Sequence, residues 1–214
     1  MMKTVTTALA LTLTCGYASA ATLSVFTDRA LFEAALSGTV ETEDFEGPDA
    51  DIPFGASSAT IGKLTISADD NGSGMYNKVD TPPVFPEVDG NGSNALNIFT
   101  LDGSNASIAF EDPVFAFGAD FFNFNDDFLR TQIGVLGEVI SPPSTDDNTL
   151  SFFGILSDTA FSQIDFLALD NDVFGVDNVT TADAPSITAV PVPASFPLLL
   201  LGLGGLLLIG RRRS

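Results

Sequence analysis

Histidine and tryptophan are absent from these 214 residues, and cysteine occurs once, as Cys15. Without histidine there is no Ser-His-Asp triad, no Cys-His pair and none of the common zinc sites. Basic residues are also scarce. All 28 acidic residues lie between Asp28 and Asp183, opposed there by only Arg29, Lys63, Lys78 and Arg130, which leaves this stretch at −24. Such a body repels phosphate, so nucleic acid is excluded as a partner. The same excess favours solubility and, among small partners, multivalent cations. Platforms that stack sugars favour Trp and Tyr, whose polar edges tolerate water. Past the first 20 residues Tyr76, in "DDNGSGMY", is the one candidate of that kind.

Phenylalanine is abundant, with eighteen between Phe26 and Phe174. That much apolar area to bury marks a folded chain rather than a disordered one. The stretch "LSVFTDRALFEAALSG" predicts one short helix from Asp28 to about Leu36, with Thr27 as cap, Phe26 and Leu31 as a hydrophobic staple and Gly38 as the stop. Elsewhere the pattern is β. "KLTISA" alternates, "NALNIFTL" follows a Gly/Asn turn, and "ASIAFEDPVFAFGADFFNFN" reads as two strands split at Asp112-Pro113. "RTQIGVLGEVIS", "LSFFGILS", "FSQIDFLALD" and "VFGVDNVTT" complete the set, with Phe115, Phe117, Phe121, Phe152 and Phe166 at alternating, core-facing positions. The aromatic phase shifts between Phe121 and Phe122, which predicts a bulge or sheet corner there. Many short strands, turns rich in Gly, Asn, Pro and Asp, and little helix predict an all-β fold: an antiparallel β-sandwich of jelly-roll type, at residues 21–182.

The two ends read differently. "MMKTVTTALALTLTCGYASAAT" has one positive residue, Lys3, an apolar run and small residues at Ala18 and Ala20, the layout of a signal peptide over residues 1–20 cleaved after Ala20. Thr12-Leu13-Thr14 before Cys15 lacks the order of a lipobox, and cleavage would leave a body with neither disulfide nor thiol. After the linker at 183–189, the chain ends in Val190-Pro191-Val192-Pro193-Ala194, an uncharged run from Phe196 to Gly210, and Arg211, Arg212 and Arg213. A helix over those fifteen residues spans roughly 23 Å, short of the ~30 Å hydrocarbon core. The arginines snorkel and set the tail inside while the body stays outside, and the two prolines hold an extended handle before the span.

This ending resembles the VPLPA-CTERM variant of the PEP-CTERM sorting signal of Gram-negative bacteria, with Val192 where leucine is usual. The resemblance covers some 25 residues. It implies recognition by an exosortase, a membrane-embedded cysteine transpeptidase, then removal of the tail and transfer of the body to the cell surface or the exopolysaccharide matrix. On that reading the chain is a substrate and not an enzyme.

Two acidic constellations remain. "ETEDFEG" puts Asp44 and Glu46 on one face of an extended segment with Phe45 pointing into the core, and "DNDVFGVDNV" groups Asp170, Asp172 and Asp177. If the first and last strands lie side by side, Asp44, Glu46, Asp172 and Asp177 converge and offer the oxygen ligands of a structural Ca²⁺; otherwise they are solvated or cap turns. An early "DFE" paired with a late "VDNV" resembles carbohydrate-binding-module-like sandwiches, where such a cation is structural. Neither "DDNGSG" nor "DGNGSN" fits an EF-hand, since Asn94 and Thr100 stand where the second needs Gly and Glu. The expected role is structural or adhesive, the alternatives being a lectin-like module that binds carbohydrate and a carbohydrate-active enzyme using two of the carboxylates.

Overall fold

The computed structural model describes residues 21–55, 57–69, 77–81, 93–126, 128–146 and 149–185. Ala18, Ala20, Tyr76, the motif at 190–194 and Arg211, Arg212 and Arg213 lie outside them. Among the described residues, twelve strands and one helix follow one another as β1 (Leu23–Phe26), α1 (Arg29–Ala35), β2 (Ser37–Glu43), β3 (Ile52–Pro53), β4 (Ala59–Ile61), β5 (Leu64–Ala68), β6 (Lys78–Asp80), β7 (Ala95–Thr100), β8 (Asn105–Phe122), β9 (Thr131–Val135), β10 (Glu138–Ile140), β11 (Leu150–Ala168) and β12 (Asp172–Ala184). Every strand pairing is antiparallel, so the fold is all-β with one short helix.

Three long strands organise the rest by changing partners along their length. The second half of β8 lies between β11 and β12, while its first half lies between β11 and β5. The first half of β11 is flanked by β1 and β8, its second half by β8 and β9. The switch on β11 coincides with register shifts between Leu156 and Gln163, irregularities of the kind that bend strands. Asp112-Pro113 falls at the matching point of β8, where proline has no N–H to give a ladder. The break expected there is thus a change of partners within one strand, and "LSFFGILS" and "FSQIDFLALD" are likewise one strand.

The two halves of the sheet face each other across a phenylalanine core. Phe121 stacks on Phe124 at 4.6 Å between ring centroids, and Phe166, from the other half, meets Phe174 at 5.4 Å and Phe121 at 6.2 Å. Phe117, Phe121, Phe166 and Phe174 are fully buried, whereas Phe115 and Phe152 are half-buried. Both Phe121 and Phe122 are buried at the end of β8, and the chain then turns through Asn123 and Asn125, each at φ 56°.

Helix α1 makes a second, smaller core. Asp28, not Thr27, caps it: the Asp28 carboxylate accepts from the Leu31 amide at 3.0 Å. Moving the cap by one residue turns Leu31 outward, 64% exposed, and makes Phe32 the ring that meets Phe26, at 5.8 Å. The helix ends at Leu36 in extended backbone, so Gly38 is not its stop. Phe32 seats on Gly118 and Gly154, which are ladder partners on β8 and β11. A Cβ on Gly118 would lie 2.6 Å from the Phe32 ring. Gly118→Ala is therefore expected to cost about 1–3 kcal/mol by overpacking, while Gly47→Ala, whose Cβ meets nothing within 4 Å, leaves the urea midpoint unchanged or slightly raised. Equal midpoints for the two variants would refute the seat.

Candidate functional site

Strand β12 carries one acidic constellation at each end. Along its second half it pairs with β2, Val179 opposite Glu43, so the early "DFE" does come alongside the late "VDNV". The neighbour is β2, whereas β1 pairs with β11. Just past β2, Phe45 is fully buried with φ 56°. Left-handed backbone is costly for an aromatic residue. It is held here by burial of the ring, by the Phe45 amide donating to Glu43 Oε1 (3.1 Å), and by Asn94 Nδ2 donating to the Phe45 carbonyl (3.3 Å). Asp44 and Glu46 stay exposed on either side.

The dipeptide Ser93-Asn94 then ties the two chain ends together. Asn94 N–H donates to Glu46 Oε1 at 2.9 Å, and Ser93 Oγ donates to Asp177 Oδ2 at 2.8 Å. Asp177 sits directly opposite Asp120 in the ladder. Like charges in such a pair repel. Arg29, from the first turn of α1, relieves this by pairing with Asp120 at 2.9 Å, its guanidinium lying 4.7 Å from the Phe152 ring centroid. Asn178, at φ 51°, donates to the other Asp120 oxygen at 3.1 Å.

Asp172 stands apart from that corner. Five strand steps take the chain from Asp172 to Asp177, about 17 Å at 3.3 Å per step, so Asp44, Glu46, Asp172 and Asp177 do not form one ligand set. Among the described residues, no group of three or more His, Cys, Asp or Glu is arranged to hold a metal ion. Asp170 is exposed and accepts from its neighbour Asn171 at 2.7 Å. Asp172 is 3% exposed; its Oδ2 accepts from Thr131 Oγ1 at 2.8 Å, the Asn125 amide is also directed at the carboxylate, and among the described residues Oδ1 has no hydrogen-bond partner. Thr100, opposite it in the ladder, has a buried hydroxyl in the same condition.

Beside Asp172 lies a loop that the sequence patterns did not single out. Asn125 is fully buried, and its Oδ1 accepts from the amides of Arg130 (2.7 Å) and Thr131 (2.6 Å) while Nδ2 donates to the Thr131 carbonyl (3.0 Å). This cross-brace presents Arg130, which pairs with Asp126 at 2.9 Å, donates to the Asn171 carbonyl at 3.1 Å, and lies 4.0 Å from the centroid of Phe128. Phe128 is 47% exposed, an aromatic face at the surface with a guanidinium against it. The available signal was a lone arginine among acids in "NFNDDFLRT". A second missed cluster is Lys78, nearly buried, with its ammonium 2.7 Å from both Asp51 and Asp80. Burial alone would lower the lysine's pKa; the two carboxylates outweigh that and raise it, and the bond from Lys78 holds Asp51 below its ordinary value.

Burial pushes Asp172 up to about 6, against the lowering pull of Thr131 and the Asn125 amide. A carboxyl that binds its proton more tightly when folded favours the fold below its unfolded pKa and loses that contribution as pH rises through the folded value. From 3.8 to about 6 the difference is about 3 kcal/mol. Asp172→Asn keeps an acceptor for Thr131 without the charge, so urea unfolding is expected to find it more stable than wild type at pH 8 and no more stable at pH 4. A variant less stable than wild type at pH 8 would contradict the buried, uncompensated charge.

No protein-family model matches the sequence, and neither does any curated protein. Among solved structures, the catalytic unit of a thermostable GH87 alpha-1,3-glucanase from Streptomyces thermodiastaticus strain HF3-3 is similar with a TM-score of 0.35 and 10% identity over 74% of this chain. The match spans 29% of that catalytic unit. Nothing about activity follows from a likeness of that size.

Proposed function

We propose that this chain is an exported, non-catalytic surface or matrix protein of a Gram-negative bacterium, led out by a signal peptide and sorted by an exosortase. The observation that carries this is the order of residues from Val190 to Arg213: Val-Pro-Val-Pro-Ala, then an uncharged run of fifteen residues from Phe196 to Gly210, then three arginines. The body, an all-β domain for which a jelly-roll sandwich is the proposed type, delivers that handle at short range. Strand β12 ends at Ala184, pinned where Ala184 pairs with Ser37 and Asp183 Oδ1 accepts from the Thr39 amide at 2.7 Å. Six peptide steps separate Ala184 from Val190, a reach of about 20 Å at most. The acidic body would therefore be processed close to the membrane face and released into the matrix or onto the surface.

A second reading is favoured by one feature. Phe128 lacks the polar edge of Trp or Tyr, but its exposed ring has Arg130 against it and Asp126 beside that arginine to supply the polar contacts, which fits an adhesive module whose ligand is carbohydrate.

Intact-mass measurement of the surface-bound and shed protein tests the sorting reading. The expected masses begin at Ala21 and lack Arg213, and replacing Pro191 and Pro193 by Ala leaves the tail attached. A surface form that retains Arg213 would contradict it. For the second reading, Phe128→Ala is expected to weaken retention on the cell's own exopolysaccharide at least tenfold while the urea midpoint holds; unchanged retention would remove it.

A further inference from the structure

The fold grips the chain immediately after the proposed cleavage point. Thr22 N–H donates to Asp158 Oδ1 at 2.9 Å, and the Asp158 amide donates back to the Thr22 carbonyl at 3.3 Å. One residue later the β1 ladder begins, with Leu23 opposite Ser157. Thr159 Oγ1 also donates to Asp158 Oδ1, at 3.1 Å, and the Thr22 side chain is a further hydrogen-bonding neighbour of this exposed carboxylate. These donors, the Thr22 amide first, hold the Asp158 carboxyl below its ordinary pKa, so it is an anion at neutral pH.

We infer that signal-peptide removal creates a ligand for Asp158: the α-ammonium of Ala21 docks on this carboxylate and locks β1 against β11. The inference rests on the export reading above. Hydrolysis of the Ala20–Ala21 bond takes up one water, leaving a carboxylate on Ala20 and, on Ala21, an amine that takes a proton below about pH 8. A neutral amide nitrogen with one hydrogen thereby becomes a cation with three. That nitrogen lies one residue, at most about 3.6 Å, from the Thr22 nitrogen already bound to Oδ1, so once freed from Ala20 it can swing about the Ala21 backbone toward the same carboxylate. Other charges on the elements packed against β1 are engaged elsewhere. Arg29 and Glu33 of α1 pair with each other, and Arg29 also with Asp120; on β11, Asp165 accepts from Gln163. The precursor, with its peptide bond intact, has the Thr22–Asp158 bonds and the β1 ladder but no such cation, so cleavage adds an ion pair to a grip that already exists.

The test uses the exported protein from its own surface fraction. Intact mass first places the amino terminus; pH-dependent acetylation of the α-amino group then gives its pKa. Docking predicts a value at least half a unit above the ordinary 7.7–8.0, falling back to that range in Asp158→Asn, whose Oδ1 still accepts from Thr22. Should that variant not be exported, 1 M NaCl is expected to collapse the shift in wild type, since an exposed pair is screened. An Ala21 terminus with an ordinary pKa, or a terminus at another residue after the leader, overturns the docking and leaves the export reading standing; a leader still attached overturns both.

Discussion

Phenylalanine rings buried between the two halves of a sheet are the constraint on which the rest of this molecule depends. Each such ring removes some 150–250 Å² from water, and in a body without disulfides apolar burial supplies most of the cohesion. The rings come from both halves: Phe121 and Phe174 from one, Phe166 from the other. They can meet because β8 and β11 pair with one another on both sides of the point where their other partners change. Bulges on β11 and the proline of β8 are the local devices that make the change possible. The small core around Phe32 depends on the same pair of strands, since its seat is two glycines facing each other across them.

Charge is arranged to suit that framework. Each of the four cations of the body braces two segments: Arg29 joins α1 to β8, Lys63 joins the β4–β5 turn to Glu41 of β2, Lys78 joins β6 to Asp51, and Arg130 joins its loop to Asn171. With its positive charges so used, the body presents a surface of unbalanced carboxylates, suited to remaining dissolved and unattached to anionic polymers unless a specific contact is made. Phe128 beside Arg130 is where such a contact has an apolar face to use.

The β segments of β5, β7, β8, β11 and β12 were legible in the sequence from their apolar and aromatic content between turn residues, but β8 and β11 were each read as two strands, because a change of partners inside one strand leaves a break in the pattern. Strand β2 was not: "SGTVETE" is polar except for Gly38 and an exposed Val40, and it takes its register from β12 rather than from its own apolar pattern. Strands β3, β4 and β6, of two or three residues, exist through their partners. Asp44 and Glu46 do lie exposed around buried Phe45, but through its left-handed backbone and not the extended segment expected, and the last strand meets β2 where the first strand was expected. Separation of Asp172 from Asp177 follows from strand rise alone and was obscured by treating "DNDVFGVDNV" as a short turn and strand. The Asn125 brace could not be read in advance, because its partners come from a loop closed by tertiary structure. The proposed signal peptide and sorting tail rest on sequence motifs and on no feature of the fold.

If shared strands and a shared aromatic core unite the two halves, the body unfolds as one unit. Native-state hydrogen exchange followed across increasing urea tests this directly. The amides of Ile108 and Ile164 in one half and of Phe117 and Ile155 in the other are predicted to converge on a single opening free energy equal to that of global unfolding. A lower, separate value for either pair would show that the halves open independently, and the account of a single core would then be wrong.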